Sequence, residues 1–362
     1  MKKIYMAGCG GMLGEAFYQQ FRKDFELKCT DKDVNDSWLS FLDFRDFNEY
    51  RKDVLNFKPD FLFHIGAYTD LEFCETEIED TYATNTISVE NAVKIANELN
   101  IPLLYVSTAG IFDGKLDSYD DWALPNPLGH YARSKYAGEL FVKENISKHL
   151  ICRAGWMMGG GPKKDKKFIQ KLMKQIKEGK EELFIVNDKD GTPTYTHDFA
   201  LNVKLLLQKE FWGLYNMVCG GQTSRLEVAK ELIYLIGKTD KIKLTEVDSD
   251  YFSKEYFAER PPNERLVNTK LNIRGINIMN NTELLLHSIP PKLIEWKNKI
   301  RDYVLKINHS FDSSHQIDHI DRVLINALSI QNKEGGDLSI IIPAVLLHDC
   351  VPIDKRSKLR TK

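Results

Sequence analysis

Five short apolar runs punctuate the first 155 residues: IYMA at 4–7, FELKC at 25–29, FLFHI at 61–65, LLYVS at 103–107 and LICRA at 150–154. Each has the length of a buried strand. Between them, residues 13–24, 46–57, 79–99 and 131–146 carry apolar positions three to four apart, the period of an amphipathic helix. Continuous apolar strands alternating with helices predict a parallel sheet covered on both faces, the doubly wound α/β arrangement.

From about residue 156 the rhythm loosens. GGGP at 159–162 predicts a loop, and the charge run KKDKK at 163–167 predicts a solvated face. Helical patterns return at 168–178, 198–209 and 225–237, with short strands between them. Three parts are expected: a doubly wound domain over 1–155, a smaller α/β lobe over 156–305 partly interleaved with it, and a short helical segment over 306–362.

Composition adds exclusions. The 362 residues are 43% hydrophobic and 28% charged, an ordinary globular balance that excludes a disordered or collagen-like chain. A formal net charge of −2 provides no basic field, so neither nucleic acid nor an anionic membrane is expected as a partner. The longest apolar run, LSIIIPAVLL at 338–347, is about half of a membrane span and contains Pro343. Lys2 and Lys3 precede apolar residues as in an export leader, but Gly8, Gly10, Gly11, Gly14 and Glu15 interrupt the pattern, so no leader is expected. The six cysteines are scattered without a Cys-x-x-Cys pair, as expected for reduced thiols in the cytoplasm.

Chemistry enters directly after the first strand. Gly8, Gly11 and Gly14 stand in a G-x-x-G-x-x-G frame that opens a helix. Such a frame turns the chain tightly, lets backbone approach a pyrophosphate and packs helix on strand, with the helix N-terminus facing the phosphates. Asp31, 23 residues after Gly8, ends the second strand, where an acid accepts hydrogen bonds from adenosine ribose hydroxyls. It favours NAD(H), whereas Lys28 and Lys32 nearby leave NADP(H) open.

HYARSKYAGE places Tyr131 and Lys135 four residues apart on one helix face. Free tyrosine, with a pKa of about 10, is a poor acid–base group at neutral pH unless a cation stabilises its phenolate. Lys135 supplies that cation. Ser107 and Thr108 follow the fourth strand at the carboxyl edge of the sheet, where one hydroxyl would hold a substrate carbonyl while Tyr131 donates a proton.

With these motifs in order, the chain resembles the extended short-chain dehydrogenases/reductases. Within that group it is similar to the dTDP-4-dehydrorhamnose reductases and their sugar-nucleotide-binding relatives. The resemblance rests on GCGGMLGE (8–15), KPDFLFHIGAYTD (58–70), the Asn85 helix, STAGIFDG (107–114), YARSKYAGE (131–139), RAGWMMGGG (153–161), GTPTYTHDFA (191–200) and RPPNERLVNTKL (260–271). It implies catalysis by Thr108, Tyr131 and Lys135 and reduction of a keto group on a nucleotide-diphosphate sugar with NADH or NADPH. Cofactor contacts are expected from Gly8, Gly11, Met12, Leu13, Gly14, Asp31, Asp43, Phe44, Gly66, Ala67, Thr69, Tyr131 and Lys135. Substrate contacts are expected from Ser107, Trp156 and Arg260, and a homodimer is the expected assembly. Ala109-Gly110 departs from the family's usual Asp-Tyr, which alters the sugar pocket beside Thr108.

Residues 312–323, DSSHQIDHIDRV, and the later His348-Asp349 resemble the opening of an HD-type metal-dependent phosphohydrolase domain. The resemblance implies a divalent metal on His319, His348 and Asp349, with His315 one turn before His319. The family's further aspartate comes from far downstream, but only 13 residues follow Asp349. A partial domain without hydrolase activity is therefore expected.

Three other readings compete with a reductase. An epimerase or dehydratase would use the same site with transient redox, without net consumption of cofactor. A non-catalytic sugar-nucleotide-binding subunit would have no need of Thr108, Tyr131 and Lys135. A phosphohydrolase would require the missing ligand.

Overall fold

The structure is a computed structural model and describes residues 1–236 and 238–277. The strands in chain order are β1 (Lys3–Ala7), β2 (Glu26–Asp31), β3 (Leu39–Phe41), β4 (Phe61–His64), β5 (Leu103–Thr108), β6 (His149–Ala154), β7 (Trp156–Met158), β8 (Glu182–Val186), β9 (Asp190–Gly191), β10 (Pro193–Tyr195), β11 (Gly213–Asn216), β12 (Thr223–Ser224), β13 (Lys243–Val247) and β14 (Asn263–Glu264). Seven of them form one sheet in the order β11-β6-β5-β4-β1-β2-β3, and every pairing within it is parallel.

The helices are α1 (Met12–Phe21), α2 (Phe47–Phe57), α3 (Leu71–Thr76), α4 (Ile78–Tyr82), α5 (Ser88–Leu99), α6 (His130–Asn145), α7 (Gly161–Lys164), α8 (Phe168–Lys177), α9 (Thr196–Gln208), α10 (Arg225–Leu235) and α11 (Thr269–Ile273). Alternate side chains of β1 feed two cores. Ile4 and Met6 pack with Phe17 and Phe21 of α1 and Phe199 and Val203 of α9. Tyr5 and Ala7 pack with Tyr50 and Val54 of α2 and Val89 and Val93 of α5. Because both faces are covered, the inner strands read as unbroken apolar runs.

The doubly wound expectation holds, and the structure corrects some of its elements. Leu39–Phe41 forms an edge strand with only Leu39 buried, so it carried no apolar run. The single helix expected over 79–99 is broken by a π-helical turn at Ala83–Ile87. Asn85 lies there, buried, bonding Tyr68 N–H, the Tyr68 carbonyl and Ser134 Oγ. A π-turn inside a helix commonly marks such a special role. Beyond the main sheet there are short pairings of β7 with β10, β8 with β13, and β9 with β12 and β14.

The KKDKK run is a solvated face only in part: Lys163, Lys166 and Lys167 are exposed, whereas Lys164 and Asp165 are buried. Lys164 is only 6% exposed, and its ammonium reaches the Gly10 carbonyl (3.1 Å), Asn35 Oδ1 (2.8 Å) and Asp36. Lys167 donates to the Thr69 carbonyl and hydroxyl at 3.0 and 2.9 Å. The long aliphatic stem of Lys164 lets it cover the Trp38 ring while its ammonium reaches part-buried acceptors. Among the described residues, Cys9, Cys29, Cys74, Cys152 and Cys219 are buried and form no disulfide. No helix among the described residues is long and apolar enough to cross a membrane.

Candidate active site

Strand order reverses at β1, with β2 on one side and β4 on the other. A crevice at such a switch point, beyond the carboxyl ends of the strands, is where open α/β sheets bind ligands. Gly8 (φ +82°) turns the chain out of β1, and a Cβ there would lie 2.1 Å from the Gly66 Cα at the end of β4. The two loops cross only because neither carries a side chain. At Gly14 a Cβ would come within 2.2 Å of the Cys9 carbonyl, so α1 seats directly on its own loop.

Gly11 caps α1 with extended backbone and no side-chain hydrogen bond, and nothing lies within 4 Å of where its Cβ would be. The first-turn N–H groups, including those of Met12 and Leu13, have no acceptor within the helix and lie at the positive end of its dipole, beside the open space at Gly11. This cradle fits a pyrophosphate. Asp31 Oδ2 accepts Gly10 N–H at 2.7 Å and its Oδ1 accepts Asp33 N–H at 2.8 Å. The carboxylate therefore closes the phosphate loop, and a carboxylate has lone pairs left for a ribose hydroxyl. Lys28, expected near the ribose, is turned away and pairs with Asp53. Lys32 donates to Tyr68 OH at 2.8 Å.

Thr108 ends β5 and its Oγ1 accepts Gly110 N–H at 3.1 Å, starting a short 3₁₀ turn over Ala109–Ile111. The first turn of α6 brings Tyr131 to face it. Burial pushes the Tyr131 phenol up to about 12, the facing Thr108 hydroxyl pulls it back, and the charges of Cys74 and Glu264 add to the rise. Lys135, 4% exposed, holds its ammonium 4.3 Å from the centre of the Tyr105 ring. Burial pulls it down to about 7, against the opposing charge of Glu139 one turn further on. Glu139 is itself neutralised by a buried ion pair with Arg153.

Helix α6 is held at this depth by specific contacts. Tyr105 OH donates to the Lys135 carbonyl at 2.8 Å, Thr86 Oγ1 donates to the Ser134 carbonyl at 2.8 Å, and Asn85 ties Ser134 to the Tyr68 loop. Ser107 is 3% exposed, and its hydroxyl has no partner among the described residues. Thr108, rather than Ser107, is the hydroxyl that meets Tyr131. His64, below the crevice, bonds Tyr50 OH and Ser88 Oγ, and burial drops it to about 3, which keeps it neutral.

Comparison with known proteins shows the family. A family model described as "RmlD substrate binding domain" matches residues 1–289. The chain belongs to that family. It is 30% identical over 235 residues to a dTDP-4-dehydrorhamnose reductase of Salmonella typhimurium, covering 62% of this chain and 77% of the relative. It is 24% identical over 314 residues to the spore coat polysaccharide biosynthesis protein SpsK of Bacillus subtilis, covering 86% of this chain and 100% of the relative. The crystal structure of a Bacillus anthracis dTDP-4-dehydrorhamnose reductase in complex with NADP superposes with a TM-score of 0.71 at 27% identity. That match covers 77% of this chain and 95% of the other.

The remaining expected contacts of this family member are placed as follows. Phe44 packs edge-on against His64, and a Cβ on Gly66 would lie 2.4 Å from its ring. Asp43 is held by Arg45, whose hydrogen bonds lower its carboxyl below the usual range. Gly66 N–H donates to the Ala7 carbonyl at 3.1 Å, Ala67 follows it in the strand-end loop, and Thr69 is engaged by Lys167. Arg260 pairs with Glu72 at 2.7 Å and donates to the Ala258 carbonyl, so part of its guanidinium is already committed. Trp156 is buried and donates from Nε1 to Glu264 Oε2 at 2.7 Å.

Sequence reasoning missed Glu264 and Arg225, which meet at Trp156, and Lys164 at the phosphate loop. Glu264 lies in the quoted stretch RPPNERLVNTKL, where only Arg260 had been singled out. Among the described residues, no group of three or more His, Cys, Asp or Glu side chains could hold a metal ion. The metal ligands expected of the HD-like segment, His319, His348 and Asp349, and the neighbouring His315 lie outside the described residues.

Proposed function

We propose that this protein reduces a keto group of a nucleotide-activated deoxysugar with NADH or NADPH, in deoxysugar and surface-polysaccharide biosynthesis. The observation that carries the reading is Tyr131 facing Thr108, with the buried ammonium of Lys135 one turn below, at the mouth of a crevice whose glycine loop fits a pyrophosphate. The residues of that loop, Gly8 to Gly14 with Asp31, would hold the dinucleotide. When bound, the reduced nicotinamide supplies a hydride to the carbonyl carbon.

The rest of the chemistry belongs to the chain. The Thr108 and Tyr131 hydroxyls hold the carbonyl oxygen. With its phenol held near 12, Tyr131 is protonated at neutral pH and donates that proton to the developing alkoxide. The Lys135 charge, buried where screening is weak, stabilises the phenolate left behind. Glu139, held by Arg153, keeps Lys135 from losing its proton more easily still. The reading carries a cytoplasmic enzyme working as a homodimer, which fractionation and sedimentation would check.

The test is oxidation of NADH and NADPH by the pure protein over a panel of nucleotide-linked 4-keto-6-deoxyhexoses, with Tyr131→Phe as control. Turnover that consumes reduced cofactor and falls by about 10²–10⁴ in the variant is expected. Cofactor binding without net oxidation on any ketone would overturn the reading.

A further inference from the structure

Beside Thr108, the chain offers Ala109 and Gly110 and therefore no polar side chain of its own. A carboxylate enters that space from elsewhere. Where a Cβ on Gly110 would be, Glu264 Oε1 is 3.3 Å away, Thr108 Oγ1 3.5 Å and the Tyr131 ring 3.8 Å. The carboxylate thus shares the space beside Gly110 with the Thr108 hydroxyl and the edge of the Tyr131 ring.

Its position is built rather than incidental. Glu264 ends β14, which pairs in parallel with β9 at Asp190–Gly191. A Cβ on Gly191 would sit 2.4 Å from the Trp156 indole, so the ring lies flat on bare backbone. The Arg225 guanidinium lies 3.7 Å from the ring centre, and its own charge is balanced towards Glu264. Clamped in this way, Trp156 donates Nε1–H to Oε2 of Glu264 at 2.7 Å. Oε1, the oxygen that faces Gly110, accepts no hydrogen bond among the described residues.

We infer that Glu264 is a specificity-determining residue, whose Oε1 accepts a hydrogen bond from the sugar hydroxyl on the carbon next to the reacting keto carbon. The inference rests on the reductase reading and deepens it by naming what the sugar must carry. Trp156 and Arg225 act through Glu264, one fixing Oε2 and the other balancing the charge. Glu264 is half-buried in the free protein, and a sugar seated on it would enclose Oε1, so one lacking the hydroxyl would leave that oxygen desolvated and unpaired.

The experiment compares the full-length protein with E264Q on two nucleotide-linked keto sugars that differ only in bearing or lacking that adjacent hydroxyl. kcat/KM is read from NADPH oxidation, and calorimetry measures binding of the corresponding reduced nucleotide sugars. The wild type should prefer the hydroxylated sugar by about 10–100-fold, as for a hydrogen bond to a charged group. E264Q should reduce that preference to within about threefold, by losing more rate and affinity on the hydroxylated member than on the other. Its NADPH affinity should match the wild type, which separates a pocket role from a structural one. Equal preference in both proteins would overturn the inference.

If the wild type oxidises NADPH with neither ketone, the reductase reading fails, and the calorimetric pair still decides the role of Glu264. Binding of neither nucleotide sugar by the wild type overturns both.

Discussion

At the scale of single residues, the site is a set of titratable groups moved away from their solution behaviour by burial. Lys135 is the clearest case, lowered from 10.5 to about 7. Its folded pKa lies below its unfolded one, so the folded state binds this proton less well. The resulting destabilisation is fully present below about pH 7 and fades as pH rises from there towards 10.5. Lys135→Met should therefore abolish turnover while raising the thermal midpoint by about 5 °C or more at pH 6, and by much less at pH 10. A midpoint lower than wild type at pH 6 in differential scanning calorimetry would contradict a buried, costly ammonium.

Tyr131 and Lys135 were legible in the sequence because a helix turn is a fixed four-residue step. Glu264 was not, because its chemistry depends on Trp156, 108 residues earlier, and on the side chains missing at 109 and 110. Lys164 was misread for a related reason. A run of lysines looks solvated until Gly10, Asn35 and Asp36 are brought to it across the fold.

At the scale of elements, inner strands were readable and edges were not. β1, β4, β5 and β6 are buried almost throughout, so each leaves a continuous apolar run. The edge strands β3 and β11 bury only part of their length, and LSF and GLYN give no comparable signal. The π-turn at Ala83–Ile87 is likewise invisible to a 3.6-residue period, although it carries the residue that joins α6 to the strand-end loop. Asn85→Ala would leave the Tyr68 N–H and carbonyl without their buried partner, at a cost of about 2 kcal/mol. A fall of about 4–8 °C in the thermal midpoint is expected, together with a loss of kcat as α6 loses its register against the loop. An unchanged midpoint would show that the turn does not hold the helix.

At the scale of the whole molecule, the crevice, the catalytic helix and the Trp156–Glu264–Arg225 wall all lie within the stretch that the family model matches, residues 1–289. The C-terminal metal ligands expected from sequence lie outside it and have no part in the proposed reaction. A chain ending after residue 289 should therefore keep NADPH affinity and turnover within about threefold of the full protein. A loss of more than about tenfold would assign residues 290–362 a part in the reductase.

The central claim is net hydride transfer to a sugar carbonyl, and isotope transfer tests it most directly. NADPH carrying deuterium on the transferred face of its nicotinamide is mixed with a nucleotide-linked 4-keto-6-deoxyhexose and the protein, and the product sugar is examined by NMR. The account predicts one deuterium at the former keto carbon per NADPH oxidised, with labelled product forming about 10²–10⁴ times more slowly in Tyr131→Phe. Unlabelled sugar, with the deuterium still on the cofactor, would contradict it.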